Sequence, residues 1–401
     1  MLPSISPPAS ESIVFFDAPN KQTAPRPPPS TLAFNSKTEA SARRLVTTKW
    51  DQWFAHPKNQ GAPARSLSVT RDAITACMAA DGTKNEMPIA LYQNLLEMLL
   101  ERHPVTGKLF VTAPMATSPP HQRKSFGELL SVPIALAAAL ENGYVDFVSR
   151  RDFDVLWPAH YGPWINRWQG LAPDYLMTHM NGGLAFYEIK GVSGRYQAKP
   201  RGYGPNKTQS INATLGAVKP RHLLAYTYLP AGASTITQPV SVQWFNAESN
   251  PRPSAPALPS PVEQLVHLTV ALGQLRRQLL AFDRSLEEVL DDTSHPGFLR
   301  RGRDLVEARD RDDVSPRMLI SHGAIKLFGR HASLLQHLRL LSSSVLLDRG
   351  IQASIAEYYD QLLELRRRAH TSENVLFDAE SPPYKVLYGY KNGTSLVTPF
   401  R

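Results

Sequence analysis

The 401-residue chain has a single cysteine, Cys77. That scarcity excludes an internal disulfide and any zinc site built from several thiolates. Long apolar runs are also missing. The longest plainly apolar stretch, Ile134 to Leu140, is far too short to cross a bilayer, so no membrane partner is expected. The opening Met1-Leu-Pro-Ser-Ile-Ser-Pro-Pro lacks the positive and apolar regions of a signal peptide. With one cysteine, this favours a soluble protein of a reducing, cytoplasmic compartment. There is no G-x-S-x-G, no P-loop and no Rossmann glycine pattern. His322, His331 and His337 lack the tight spacing of a zinc site and read as ordinary helix histidines.

What the chain does have is a hydrophobic share of 42%, enough for a buried core, and a formal charge of +9. A basic balance favours a polyanionic partner or substrate. Residues 1–44 are rich in Pro and Ser and read as a disordered arm. Residues 45–120 form an N-terminal helical region. Apolar residues recur at helical spacing from Leu67 to Ala80 and from Pro88 to Arg102, and Lys108 to Thr112 is a short strand.

Residues 121–248 carry an α/β pattern. A short Ala/Leu helix from Pro133 to Asn142 is closed by Gly143, and a strand from Tyr144 to Ser149 follows. Asp174 to His179 and Leu184 to Lys190 then form two strands joined by Asn181-Gly182-Gly183. A helix within 208–218 and strands Leu223 to Leu229 and Val240 to Phe245 complete the unit. A Pro-rich linker, 249–261, marks the sharpest change in composition. Beyond it, 262–401 reads as a helical domain, with helices at Val262 to Leu290, Arg317 to Phe328, Ala332 to Leu347 and Ile351 to His370. It ends in a hairpin around Asn392-Gly393.

The chemistry sits in the 174–190 hairpin. Side chains at i and i+2 of a strand share a face, so Glu188 and Lys190 point the same way. Where Asp174 points depends on the turn. A three-residue loop of Asn181-Gly182-Gly183 sets Met180 opposite Leu184 and Asp174 opposite Lys190, on the face of Glu188. A two-residue Asn181-Gly182 turn sets Asp174 opposite Ile189, pointing away. The second glycine, able to adopt the left-handed conformation that ends a three-residue loop, favours the first. On one face, Asp174 and Glu188 offer hard oxygen ligands for Mg²⁺ or Mn²⁺, and the Ile189 carbonyl between Glu188 and Lys190 offers another. Lys190 can position a water and offset charge developing on a phosphoryl group.

Pro173-Asp174, a gap of thirteen residues, then Glu188-Ile189-Lys190 resembles the PD-(D/E)xK nuclease superfamily. The resemblance spans roughly 125–246, where a helix and strand precede the Asp and a helix and strand follow the Lys. It implies a restriction-endonuclease-like α/β core, a mixed sheet flanked by helices, followed here by the helical C-terminal domain. It implies a Mg²⁺-dependent endonuclease acting on nucleic-acid phosphodiesters, DNA before RNA, of the kind used in phage defence or mobile-element processing. Many members carry a further acid on the first core helix, for which Glu128 is preferred over Glu141. Some carry a Gln or Lys on the helix after the lysine, which points to Gln209.

Other residues add to this reading. No acid lies between Glu188 and Glu248, while Arg195, Lys199, Arg201 and Lys207 fall there with Tyr196 and Tyr203 interleaved. Such a stretch either tracks a nucleic-acid backbone or is a solvated basic loop. Trp157, Trp164 and Trp168 suit packing of a long connection better than base stacking. The C-terminal helices could take further protein subunits. The alternative from another class is a non-catalytic nucleic-acid-binding or assembly protein that keeps the nuclease-like fold as a scaffold.

Overall fold

The computed structural model describes residues 10–18, 64–81, 89–104, 106–157, 174–193, 220–230, 239–246, 259–282, 284–291, 298–301, 305–308, 316–341, 348–371 and 384–399. In chain order the first half runs β1 (Ile13–Ala18), β2 (Ala64–Leu67), α1 (Arg71–Asp81), α2 (Ile89–Leu99), β3 (Leu100–Arg102), β4 (Leu109–Val111) and α3 (Ala113–Thr117). Then come α4 (Pro120–Glu141), β5 (Tyr144–Ser149), α5 (Arg150–Leu156), β6 (Tyr175–His179), β7 (Leu184–Ser193), β8 (Arg221–Leu229) and β9 (Ser241–Asn246). The C-terminal part adds α6 (Pro261–Leu280), α7 (Leu286–Asp291), β10 (Phe298–Arg301), β11 (Leu305–Ala308), β12 (Arg317–Ser321), α8 (His322–Leu340), α9 (Arg349–Thr371), β13 (Tyr384–Gly389) and β14 (Thr394–Pro399).

The protein is an α/β structure built on a seven-stranded, curled, mixed sheet of order β2-β1-β9-β8-β7-β6-β5. β7 runs parallel to β8 and β1 parallel to β9, and the remaining neighbours are antiparallel. Aromatic and β-branched residues fill these strands, as a pleated, buried surface favours. Trp244 of β9 packs edge-on against Phe15, Tyr144 and Tyr187, and its indole N–H donates to the Tyr187 hydroxyl at 2.7 Å. That hydroxyl in turn donates to the Ala135 carbonyl of α4 at 3.0 Å. The run of alanines in α4 lets the helix lie close on this face of the sheet.

At β5, the last strand, the other side is closed by α6. Gln274 accepts the Phe147 amide at 3.2 Å, so the sheet edge is covered. Pro261 at its start and a Ser260–Glu263 capping box begin α6. One continuous apolar core includes Ile13, Cys77, Leu136, Phe186, Leu272, Phe328 and Leu396. Among the described residues, no helix is long and apolar enough to cross a membrane.

Several expectations change. Within the 1–44 arm, Ile13–Ala18 is a sheet strand between β2 and β9. Its Ile-Val-Phe-Phe run is strongly β-forming and buries Ile13, Val14 and Phe15, which the surrounding prolines obscured. The core helix begins at Pro120 rather than Pro133, and Pro133 lies inside it. Gly143 does close it, at φ +90°. The C-terminal part, read as helices closed by a hairpin around Asn392-Gly393, has that hairpin as β13 and β14, and it belongs to a five-stranded antiparallel sheet of order β10-β11-β12-β14-β13. Arg317–Ser321 is a strand there because its apolar run Met318-Leu319-Ile320 pairs on both sides, with β11 and β14. The 208–218 helix lies outside the described residues.

Candidate active site

The hairpin has a three-residue loop, but not the one the two glycines suggested. His179 N donates to Gly183 O at 2.7 Å, and the loop is Met180-Asn181-Gly182. Gly182 takes the left-handed conformation, φ +85°, and Gly183 does not. The Gly183 amide instead donates to the Asn181 side chain at 3.2 Å, and His267 of α6 meets the Gly182 carbonyl at 3.0 Å. The register becomes Tyr175↔Tyr187, with Thr178↔Leu184 nearer the loop. It is displaced by two positions from the sequence expectation. An even displacement preserves the face, so Asp174 comes opposite Glu188 instead of Lys190 and still shares their side of the sheet.

The ladder explains how Asp174 is held. Among the described residues, Tyr187 is the last of β7 to pair with β6, and the Ile189 backbone points past the described end of β6. The Asp174 carboxylate meets it there, with Oδ2 accepting the Ile189 amide at 2.8 Å. By strand geometry the carbonyl of a residue points to the same side as its amide, which directs the Ile189 carbonyl that way too. On Glu188, Oε1 pairs with the Lys190 ammonium. Lys190 is half-exposed and sits in register with Tyr226 of β8.

Burial raises the Asp174 carboxyl to about 6, and the neighbouring Glu188 carboxylate adds to the shift. The Ile189 amide and the Lys190 charge pull the other way, and Asp81 pushes it slightly further up. Two carboxylates side by side, one desolvated, are a configuration that a cation relieves. The donors are hard oxygens on Asp174, Glu188 and the Ile189 carbonyl, which suits Mg²⁺ or Mn²⁺. Among the described residues, no group of three His, Cys, Asp or Glu side chains gathers into a metal cluster. Within the described residues, the oxygens available to such a site are the two carboxylates and the carbonyl. Mg²⁺ ordinarily keeps several waters or takes phosphate oxygens for the rest.

Glu128 is not brought to this pair. It lies on α4, which packs on the opposite face through Ser131 and Ala135, and its side chain is 66% exposed beside Lys124 at 4.0 Å. Burial raises Glu141 at the end of the same helix, with Lys391 opposing. Arg195, Lys199, Arg201, Lys207 and Gln209 lie outside the described residues, as do Trp164 and Trp168. Trp157 is buried and stacks on Phe153 at 5.1 Å, a packing role.

Other residues around Asp174 escaped the sequence reading. The Tyr175 hydroxyl donates to Asp81 at the end of α1, at 2.5 Å, and burial raises its pKa well above the usual tyrosine range. Asp152 and Ser149 meet at the start of α5, and Arg277 of α6 grips both Asp152 oxygens, Nε to Oδ2 at 2.7 Å. The Ser149-x-x-Asp152 cap was visible in the sequence. The contacts of Asp81 and Arg277 span 94 and 125 residues and carry no local signal. The sequence matches no known family model, no curated protein and no solved structure.

Proposed function

We propose that this chain is a metal-dependent endonuclease that hydrolyses nucleic-acid phosphodiesters, DNA before RNA. One observation carries the reading. Asp174 is anchored by its carboxylate to the Ile189 amide, opposite Glu188 and on the face of Lys190. Asp174, Glu188 and the Ile189 carbonyl would hold Mg²⁺ or Mn²⁺. A divalent ion bound there polarises a phosphoryl oxygen and makes a bound water more acidic. Lys190 orients the attacking water and offsets negative charge that grows on the phosphoryl oxygens in the transition state. The Glu188 carboxylate keeps Lys190 directed along the strand face.

The test is supercoiled plasmid incubated with the full chain and Mg²⁺ or Mn²⁺. Nicking or linearisation should vanish with chelator and with Asp174→Ala. Lys190→Ala should slow cutting by about 10²–10³-fold while leaving the fold intact. Cutting that survives Asp174→Ala overturns the site. Tight binding of nucleic acid with no cutting under any metal favours the scaffold alternative, for which the two-carboxylate donor set is the supporting observation.

A further inference from the structure

A cavity of about 220 Å³ opens between α5, α6 and α7, and three guanidinium groups line it: Arg276, Arg277 and Arg284. Leu156, Leu280 and Leu286 supply apolar wall. Val155 and Leu280, 62% and 42% exposed, stand on the surface beside it. Arg339 donates to the Val155 carbonyl, so the end of α8 reaches the same rim. Two acids, Asp152 and Glu287, also line the cavity, which leaves it with one excess positive charge. The acids are not equally engaged. Arg277 is held by both oxygens of Asp152 and is committed to it. Arg276 stands 3.6 Å from Glu287, beyond a hydrogen bond, and its side chain is 43% exposed. A long, exposed ion pair of this kind contributes little, so Arg276 can exchange it for another anion at small cost.

The cavity lies next to the candidate active site. The Arg150 amide donates to the Asp174 carbonyl at 3.0 Å, and Asp152 follows in the same first turn of α5. The short helix α5 therefore joins the two places: its first residue is bonded to the Asp174 backbone, and Asp152, Val155 and Leu156 further along it line the cavity.

We propose that this cavity is a nucleotide subsite of the same nucleic-acid strand, with Arg276 taking a phosphate and the Leu156–Leu280–Leu286 wall receiving the adjoining base. It rests on the nuclease reading. A fork of guanidinium donors over apolar surface is how proteins take a phosphate with its base, without reading sequence.

The experiment uses the full chain and a labelled oligothymidylate of about 20 nucleotides, with chelator present so that nothing is cut. Arg276→Ala should weaken binding about tenfold and flatten the dependence of log affinity on log salt by about 0.7. Arg276→Lys should restore most of the salt slope, because the charge returns. Unchanged affinity and slope in Arg276→Ala overturn the subsite, as does wild-type protein that fails to bind the strand. Plasmid cutting by wild type and Asp174→Ala, measured in parallel, separates the two readings. Metal-dependent cutting with an unaffected Arg276→Ala removes the subsite alone. Weaker binding by Arg276→Ala in a protein that cuts nothing keeps the cavity as a nucleic-acid site and removes the nuclease reading.

Discussion

Arg366 of α9 donates to Asp146 of β5 at 2.5 Å, and both side chains are buried. The same Nη2 reaches the Thr178 hydroxyl at 3.1 Å, so one guanidinium fastens α9 to β6 of the hairpin and to its neighbour β5. Among the described residues, the second Asp146 oxygen and the Arg366 Nε and Nη1 have no hydrogen-bond partner. Removing one member therefore strands a buried charge. Arg366→Met should destabilise the fold by about 3–5 kcal/mol in urea unfolding, whereas Asp146→Leu with Arg366→Met should recover most of that loss. A double variant no more stable than the single would show that packing, not the stranded charge, sets the cost.

Metal affinity should depend on pH through Asp174. Its folded value, about 6, lies above the ordinary carboxylate range. A cation must displace that proton, so affinity rises by about tenfold per pH unit below 6 and levels off above it. Isothermal titration with Mn²⁺ between pH 5 and 8 reads this directly, and a flat profile contradicts it. The linked effect on stability has the opposite slope. The folded state holds the Asp174 proton more tightly than the unfolded state. Metal-free stability from this group therefore falls as pH rises from about 4 to 6, then stays constant. Asp174→Asn should remove that slope.

Gly191, next to Lys190, lies tightly against α4. A Cβ there would stand 2.6 Å from the Ser131 hydroxyl and 2.9 Å from its Cβ. Gly191→Ala should cost about 1–3 kcal/mol by overpacking and lower cutting by moving Lys190. Ser131→Gly alone should cost about 1 kcal/mol as a helix glycine. Combined, the two changes should cost less than their sum, since the collision is gone. A thermal-unfolding double-mutant cycle with additive effects would deny the contact.

The central strands were legible because alternating or continuous apolar runs bounded by turn residues mark them without help from the rest of the chain. The face of Asp174 was legible for a related reason: any odd-length loop with even-numbered slippage gives the same parity. Which glycine turns left-handed was not, because Gly182 is chosen by the Asn181 side chain that accepts from Gly183 and by His267 arriving from α6. Strand β12 was missed because Met318-Leu319-Ile320 suits either a buried helix turn or a strand. The Ser321 cap, whose hydroxyl accepts the Ala324 amide at 3.2 Å, was the boundary signal that separates it from α8. Asp81 and Arg277 have no sequence signature near Asp174. Only the packing of α1 and α6 brings them there.

Strand β1 is complete only when both of its neighbours exist. β2 is made early and pairs with it antiparallel after the long 19–63 connection, but β9 pairs Val14 with Ser241, more than 220 residues later. At ribosomal rates of about 5–20 residues per second, the unpaired side of Ile13-Val14-Phe15 waits on the order of ten to forty seconds. During that interval the growing chain exposes a sticky edge in the part of the sequence that emerges first. Within the seven-stranded sheet β9 is the last strand to be made, so the bonds that close this edge join the beginning of the chain to its middle.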